Sequence, residues 1–307
     1  MVTDGGKEKD GVWCLGTGSP RLDGDRMGAG TVFAHGGRAM LIDCGIGALH
    51  RLTQLDMGAD RVDAVFVTHH HVDHVADLPA LVMVRWIASR RGRLPPLTVY
   101  GPPGTRRFVD ATLASYAVDI ESRRALGLLD GAVMPGVVEV ADGVRVTVGP
   151  WTVTAFDVDH QPIAEALGYQ VERDRVRMVV SGDTRPCSSL AARARGADLL
   201  LHEALYPGYG QASYHTGVED VGRLAARVGV RRLLLTHLIP GTLPDGTWLG
   251  GVRQHYSGPV VVARDLLQLA DWSAPGGDPF ASVPCWVEAV RNCTALNRTE
   301  ANGSERG

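Results

Sequence analysis

Apolar residues gather in short runs along the chain, each stopped by Gly, Pro or Asp. "VWCLG" (Val12–Gly16), "TVFAH" (Thr31–His35) and "AMLIDCG" (Ala39–Gly45) have strand length and read as a meander. "LHRLTQLDM" has helical spacing, and "VDAVFV" (Val62–Val67) returns to a buried strand. "DLPALVMVRWIASRRGR" is long, largely apolar and basic at its end, so it predicts a mostly buried helix. "LTVYGPPGT" predicts a strand and turn, and "TRRFVDATLASYA" a helix. "VRVTVGPWTVTAFDVDH" and "ALGYQVERDRVRMVVSGD" predict two strands each. "SLAARARGADLLLHEALY" and "VEDVGRLAARVGVRRLLLTHL" repeat helix then strand, and "GPVVVARDLLQL" ends the expected core. Antiparallel strands early and helix–strand alternation later indicate a layered α/β protein with its site at strand ends. No linker divides residues 1–273, which are expected to form one domain. Residues 274–307, richer in Gly, Pro, Asn and Ser, are expected to be a partly disordered C-terminal extension with one short helix.

Composition narrows the class. With 307 residues the chain can bury a large core, and 45% hydrophobic with 21% charged residues is ordinary for a globular protein. The net charge of -3 argues against generic nucleic-acid binding. "MVTDGGKEKDG" has no apolar signal core and no run approaches membrane-spanning length, so a cytoplasmic protein without membrane contact is expected. The cysteines (Cys14, Cys44, Cys187, Cys285, Cys293) are scattered and read as free thiols. "GTGSPR" before "LIDCG" mimics a dinucleotide motif, but Arg21 holds the third glycine position and Pro20 disrupts the turn.

The chemistry concentrates in "THHHVDH" (Thr68–His74), directly after a buried strand. Crowded imidazoles disfavour one another's protonation and each needs a partner, which a metal supplies. His69 and His71 are two apart and share a face of extended backbone, whereas His70 points away and reads as structural. Asp73 and His74 fit a turn into the next helix and can face a second ion. Imidazole and carboxylate donors without cysteine suit zinc, with iron or manganese as rivals. His160, Asp183 and His237 each follow an apolar run downstream and complete a candidate set.

"THHHVDH", the later "DH", "SGDT" and "LTH", in that order, resemble the metallo-β-lactamase superfamily. "LGTGSPR", "LIDCG", "GYQVE" and "LLHEAL" are similar to its branch of ribonuclease Z, arylsulfatase-like and phosphodiesterase members, over Val12 to Leu269. The resemblance implies a four-layer αββα sandwich and two metal ions, two zinc with manganese or iron as alternatives. His69, His71 and His160 would bind one ion, Asp73, His74 and His237 the other, and Asp183 would bridge. Asp43 matches the family's buried aspartate that orients ligands, or else is a simple turn cap. Such a pair of ions makes hydroxide from water at neutral pH and stabilises charge at the attacked centre. Asp73 would also accept a proton, and His215, supported by Glu203, would protonate the leaving group. The serine of the family's "HST" pattern is missing before His215, and a histidine beside a Thr216 helix cap is the plainer alternative. His202 reads as structural, and His35, His50 and His255 as surface or packing residues.

The substrate is harder to read. Family members that mature transfer RNA usually carry a long arm between the third histidine and the bridging aspartate. Here a hairpin-length segment joins His160 to Asp183, which on sequence grounds disfavours transfer RNA and points to a small anionic ester. Arg85, Arg90, Arg91 and Arg93 form a basic patch that a helix C-terminus explains equally well. Arg185 can meet an anion, and Tyr206, Tyr209 and Tyr214 stand in a glycine- and tyrosine-rich stretch that can wall the pocket. A small phosphodiester ranks first as substrate. An aryl sulfate or a lactone or acyl ester follows. A transfer RNA endonuclease, an iron-dependent oxidoreductase and a non-catalytic binding protein rank lower. A homodimer is compatible with this branch, with no interface legible.

Overall fold

The computed structural model describes residues 9–21, 25–89, 94–127, 134–209, 214–273, 276–286 and 288–289. The first seven-stranded sheet contains β1 (Gly11–Gly16), β2 (Gly30–His35), β3 (Arg38–Ile42), β4 (Val62–Phe66), β5 (Thr98–Gly101), β6 (Gly136–Glu139) and β14 (Gln268–Asp271), in the order β14-β1-β2-β3-β4-β5-β6. The second contains β7 (Arg145–Val148), β8 (Trp151–Asp157), β9 (Leu167–Arg173), β10 (Val176–Val180), β11 (Leu199–Leu205), β12 (Leu233–Ile239) and β13 (Val260–Val262), in the order β13-β12-β11-β10-β9-β8-β7. The expected meander β1–β3 is antiparallel, and β3 to β6 run parallel. In the second sheet β7 to β10 are antiparallel and β10 to β13 parallel.

Helices cover both outer faces. On the first sheet these are α1 (Ala48–Gln54), α2 (Val72–Val75), α3 (Leu78–Ala88), α4 (Thr105–Ser115) and α5 (Ala117–Ala125). On the second they are α6 (Ser188–Ala194), α7 (Val218–Val228) and α8 (Asp245–Arg253). The strand period of two sorts side chains between layers. On β11, Leu199 and Leu201 enter the core between the sheets, while Leu200 and Ala204 face α6 and α7. On α7, Val218, Val221, Leu224, Ala225 and Val228 form one buried face, and Gly229 ends the helix at φ 68°. The fold is thus the four-layer αββα sandwich.

Two regions differ from the sequence reading. Arg85 is not part of a surface patch: it is buried and donates to the Asp60 and Pro95 carbonyls at 2.6 and 2.8 Å. Arg90, Arg91 and Arg93 lie outside the described residues. Beyond Ala274, Phe280, Val283 and Trp286 are buried between the sheets, and the Trp286 indole donates to the Leu269 carbonyl at 2.8 Å. The tail from 290 onward, where disorder is expected, lies outside the described residues. Among the described residues no helix is long and apolar enough to cross a membrane.

Candidate metal centre

Local backbone geometry places the histidine motif. After β4 the chain bends at Thr68 and reaches His71, which is extended, then makes the single turn α2, which carries Asp73 and His74. His69 and His71 face each other with ring centroids 4.6 Å apart. His70 turns away, its Nε2 lying 3.0 Å from the Thr105 hydroxyl. His160 follows β8 by three residues and Asp183 follows β10 by three. His237 differs from expectation: it lies inside β12, not at its end. Glu203 pairs with Thr236 and Ala204 with Leu238, so His237 is the extra residue of a bulge, at φ 45°. A bulge re-aims one side chain, here towards the other ligands.

These residues form two joined groups. The His71 Nδ1 lies 2.9 Å from the His69 Nε2 and 3.3 Å from the His160 Nε2, and an Asp183 oxygen stands 3.9 Å from both of those Nε2 atoms. In the second group the His237 Nε2 lies 3.0 Å from Asp73 Oδ2, and the His74 Nε2 lies 3.6 Å from the same oxygen. Asp183 reaches this group too, at 3.4 Å from His74 and 3.3 Å from His237. Within each group the donor atoms lie within 4.8 Å of one another.

The surroundings fit a cation at each group. Asp43, itself at φ 60°, accepts from the Thr68 amide at 2.8 Å and holds the His74 Nδ1 at 2.8 Å. The Tyr214 carbonyl holds the His160 Nδ1 at 3.0 Å. Each bond keeps the proton on Nδ1 and turns the Nε2 lone pair inward. Asp73 Oδ1, His74 Nε2 and Asp183 Oδ1 are buried without a hydrogen-bond partner among the described residues. Native proteins rarely leave such atoms unpaired, and divalent cations would satisfy all three. Burial, reinforced by the charge of His74, pushes His69 well below the ordinary histidine value, towards the neutral ligand form. Burial alone would raise the Asp183 carboxyl, but His237 and His74 override it and hold the group well below its usual range.

Beside the ligands stands an imidazole–carboxylate pair. The His215 Nδ1 donates to Glu203 Oε2 at 2.6 Å, and Glu203 Oε1 accepts from the Thr184 amide at 2.6 Å. Burial lifts Glu203 to about 7 even though the His215 bond pulls the other way. The His215 ring sits 5.4 Å from His160 and 5.8 Å from His237, between the two groups. The Thr216 hydroxyl donates to the Thr184 carbonyl at 2.6 Å instead of capping α7, so the helix-cap alternative does not hold. His202 is buried with its Nδ1 2.7 Å from the Glu203 carbonyl, apart from the ligands.

Of the expected substrate contacts, Arg185 is exposed, with its Nε donating to Asp159 at 2.7 Å. Tyr206 packs on Trp248 at 5.7 Å, and Tyr209 is exposed 6.3 Å from Tyr206. Tyr214 lies against His215 with ring centroids 4.7 Å apart. Thr68 and Thr184 were not legible as site residues. Thr68 stands in the motif itself, whereas Thr184 meets Glu203 only through the parallel pairing of β10 with β11.

The profile of the Beta-lactamase superfamily domain matches residues 38–238. The chain is 35% identical over 275 residues to ribonuclease Z of Mycobacterium marinum, covering 83% of this chain and 96% of that one. It is 38% identical over 268 residues to ribonuclease Z of Mycobacterium sp. (strain KMS), covering 83% and 94%. Among solved structures it resembles the metallo-beta-lactamase fold protein YhfI from Bacillus subtilis (TM-score 0.67, 24% identity, 83% and 96% covered). The short form of human tRNase Z has the same fold (TM-score 0.60, 21% identity, 85% and 98% covered). These relatives contradict the expectation that transfer RNA is an unlikely substrate. The short His160–Asp183 segment is too narrow a ground for it, because nucleic-acid affinity comes from phosphate contacts spread over a surface.

Proposed function

Since the chain belongs to the metallo-β-lactamase superfamily, in its ribonuclease Z branch, we propose that this metal-dependent hydrolase cleaves phosphodiester bonds in RNA, with transfer RNA as substrate and zinc as its metal. The reading is carried by one observation: a hydrogen-bonded pair, His215–Glu203, set between two groups of side chains able to hold metal. The relatives' names speak for a phosphodiester over a sulfate or acyl ester. His69, His71 and His160 would hold one ion and Asp73, His74 and His237 the other, with Asp183 shared. Nitrogen and oxygen donors without cysteine suit zinc. Bound there, the ions supply Lewis acidity towards water and towards the charge developing on the phosphoryl oxygens. Asp73 would take the proton of the attacking water. His215 delivers a proton from Nε2 to the leaving oxygen, and Glu203 holds its Nδ1 so that Nε2 faces the cleft. Arg185 offers its guanidinium to a phosphate at the mouth.

The test is metal analysis together with turnover of a 3′-extended transfer RNA transcript and of bis-p-nitrophenyl phosphate. About two zinc per chain and site-specific cutting of the transcript, both lost in Asp73→Ala, support the reading. Turnover of the small diester with no cutting of RNA would replace the substrate and keep the site. Stoichiometric iron without hydrolysis would overturn both.

A further inference from the structure

A groove of about 480 Å³ runs beside α6 and the end of α7, and the chemistry above does not use it. Pro186, Cys187, Ala191 and Val228 contribute to its lining, and among the described lining residues only Arg195 and Arg227 are charged. Both are exposed. Other arginines of these helices are neutralised: Arg193 lies 3.7 Å from Asp142, and Arg223 lies 2.9 Å from Glu219 and 2.6 Å from Asp220. A helix C-terminus favours a nearby cation. That accounts for one arginine at each helix end, but not for two lining a shared, acid-free trough.

One end of the groove, at Pro186, lies close to the metal centre. Pro186 is three residues from Asp183, and three residues span at most about 11 Å. Between them stands Arg185, whose Nε is committed to Asp159 while its two Nη groups remain for another acceptor. The seven residues of α6 extend the trough by about 10 Å, room for about three nucleotides at a stacked rise of about 3.4 Å. Arginine forks match phosphate, and apolar surface accepts the face of a ribose or base.

Resting on the RNA reading above, we propose that Arg185, Arg195 and Arg227 form a track for the backbone of a single-stranded RNA segment flanking the bond that is cut. The nearness of its Pro186 end to Asp183 and the two exposed arginines favour a strand that also enters the metal centre over a separate ligand.

The test compares the metal-loaded wild type with the double variant Arg195→Gln/Arg227→Gln, whose changes lie outside the catalytic machinery. The probes are a fluorescein-labelled transfer RNA transcript with a single-stranded 3′ extension, and bis-p-nitrophenyl phosphate. The track predicts that KM for the transcript rises about ten-fold while its kcat and the turnover of the small diester stay unchanged. It also predicts that log Kd against log salt becomes shallower by about 1.4, which is about 0.7 for each lost phosphate contact. Unchanged transcript KM and salt slope, with wild-type cutting intact, overturn the track and leave the RNA reading standing. A wild type that turns over the diester but neither binds nor cuts the transcript overturns the RNA reading and the track with it. Loss of AMP or poly-glutamate binding in the variant, with transcript binding unaffected, assigns the groove to another ligand and also overturns the track.

Discussion

Asp43 shows how much a single carboxylate arranges. It sits at φ 60°, a conformation disfavoured for a non-glycine residue, and spends both oxygens on the site, one on the Thr68 amide and one on the His74 Nδ1. Its motif suggested either an orienting residue or a turn cap, and only the contact with His74, 31 positions away, separates the two. Asp43→Asn is expected to lower activity about 10- to 100-fold through weaker metal retention, read as metal content after dialysis. His215→Ala is expected to lower kcat by about 10² or more with metal content unchanged. The raised pKa of Glu203, about 7 against an ordinary 4.5, has a defined sign. Between those values the folded state binds the proton more tightly than the unfolded chain, so the stabilising contribution is complete below about pH 4.5 and is lost as pH rises through 7. Glu203→Gln removes that loss. Its Tm relative to wild type should therefore climb between about pH 5 and pH 8, and a flat difference by calorimetry would contradict it.

At the scale of elements, the site depends on two irregularities in otherwise regular strands and turns. The bulge at His237 is a mismatch between β12 and β11, so no local pattern in "LLLTH" reveals it, and the apolar run alone makes the histidine look like a strand terminus. The turn α2 is held by the segment after β3: the Cys44 amide donates to the His74 carbonyl at 2.8 Å. Gly45 packs so tightly there that an added Cβ would lie 1.9 Å from the Asp73 carbonyl oxygen. Backbone cannot yield at that distance without moving Asp73 and His74. Gly45→Ala is therefore expected to lose the metal bound by those two residues while far-UV circular dichroism stays native. Full metal content in that variant would show that α2 tolerates the shift.

For the molecule as a whole, seven candidate ligand side chains from several segments of both sheets converge within a few ångströms. Imidazoles and carboxylates crowded in this way are held together at a cost that bound cations offset. Chelation should accordingly lower Tm, and zinc added back should restore it in a concentration-dependent way. The C-terminal segment belongs to the same ledger. Trp286 is buried between the sheets with its indole bonded to the Leu269 carbonyl. Trp286→Ala should destabilise the fold by about 3 kcal/mol, measured by denaturant unfolding, and ending the chain at Ser273 should cost more. The sequence around it reads as a short helix in a Gly- and Pro-rich extension and does not show that Phe280, Val283 and Trp286 are core, because their burial depends on strands far away in sequence.

Periodicity and spacing were enough for the layered α/β class, most element positions, the histidine motif and the downstream candidates His160, Asp183 and His237. These signals are local: a strand's alternation, a helix's period and a motif's order survive in one dimension. Tertiary structure alone decided that His237 reaches the site through a bulge, that Thr184 holds Glu203 and Tyr214 holds His160, and that Arg85 is core. It also brought Arg195 and Arg227 to one groove. Each of these rests on a pairing between residues distant in the chain, where the energy lies in burial and hydrogen-bond geometry that no single segment encodes.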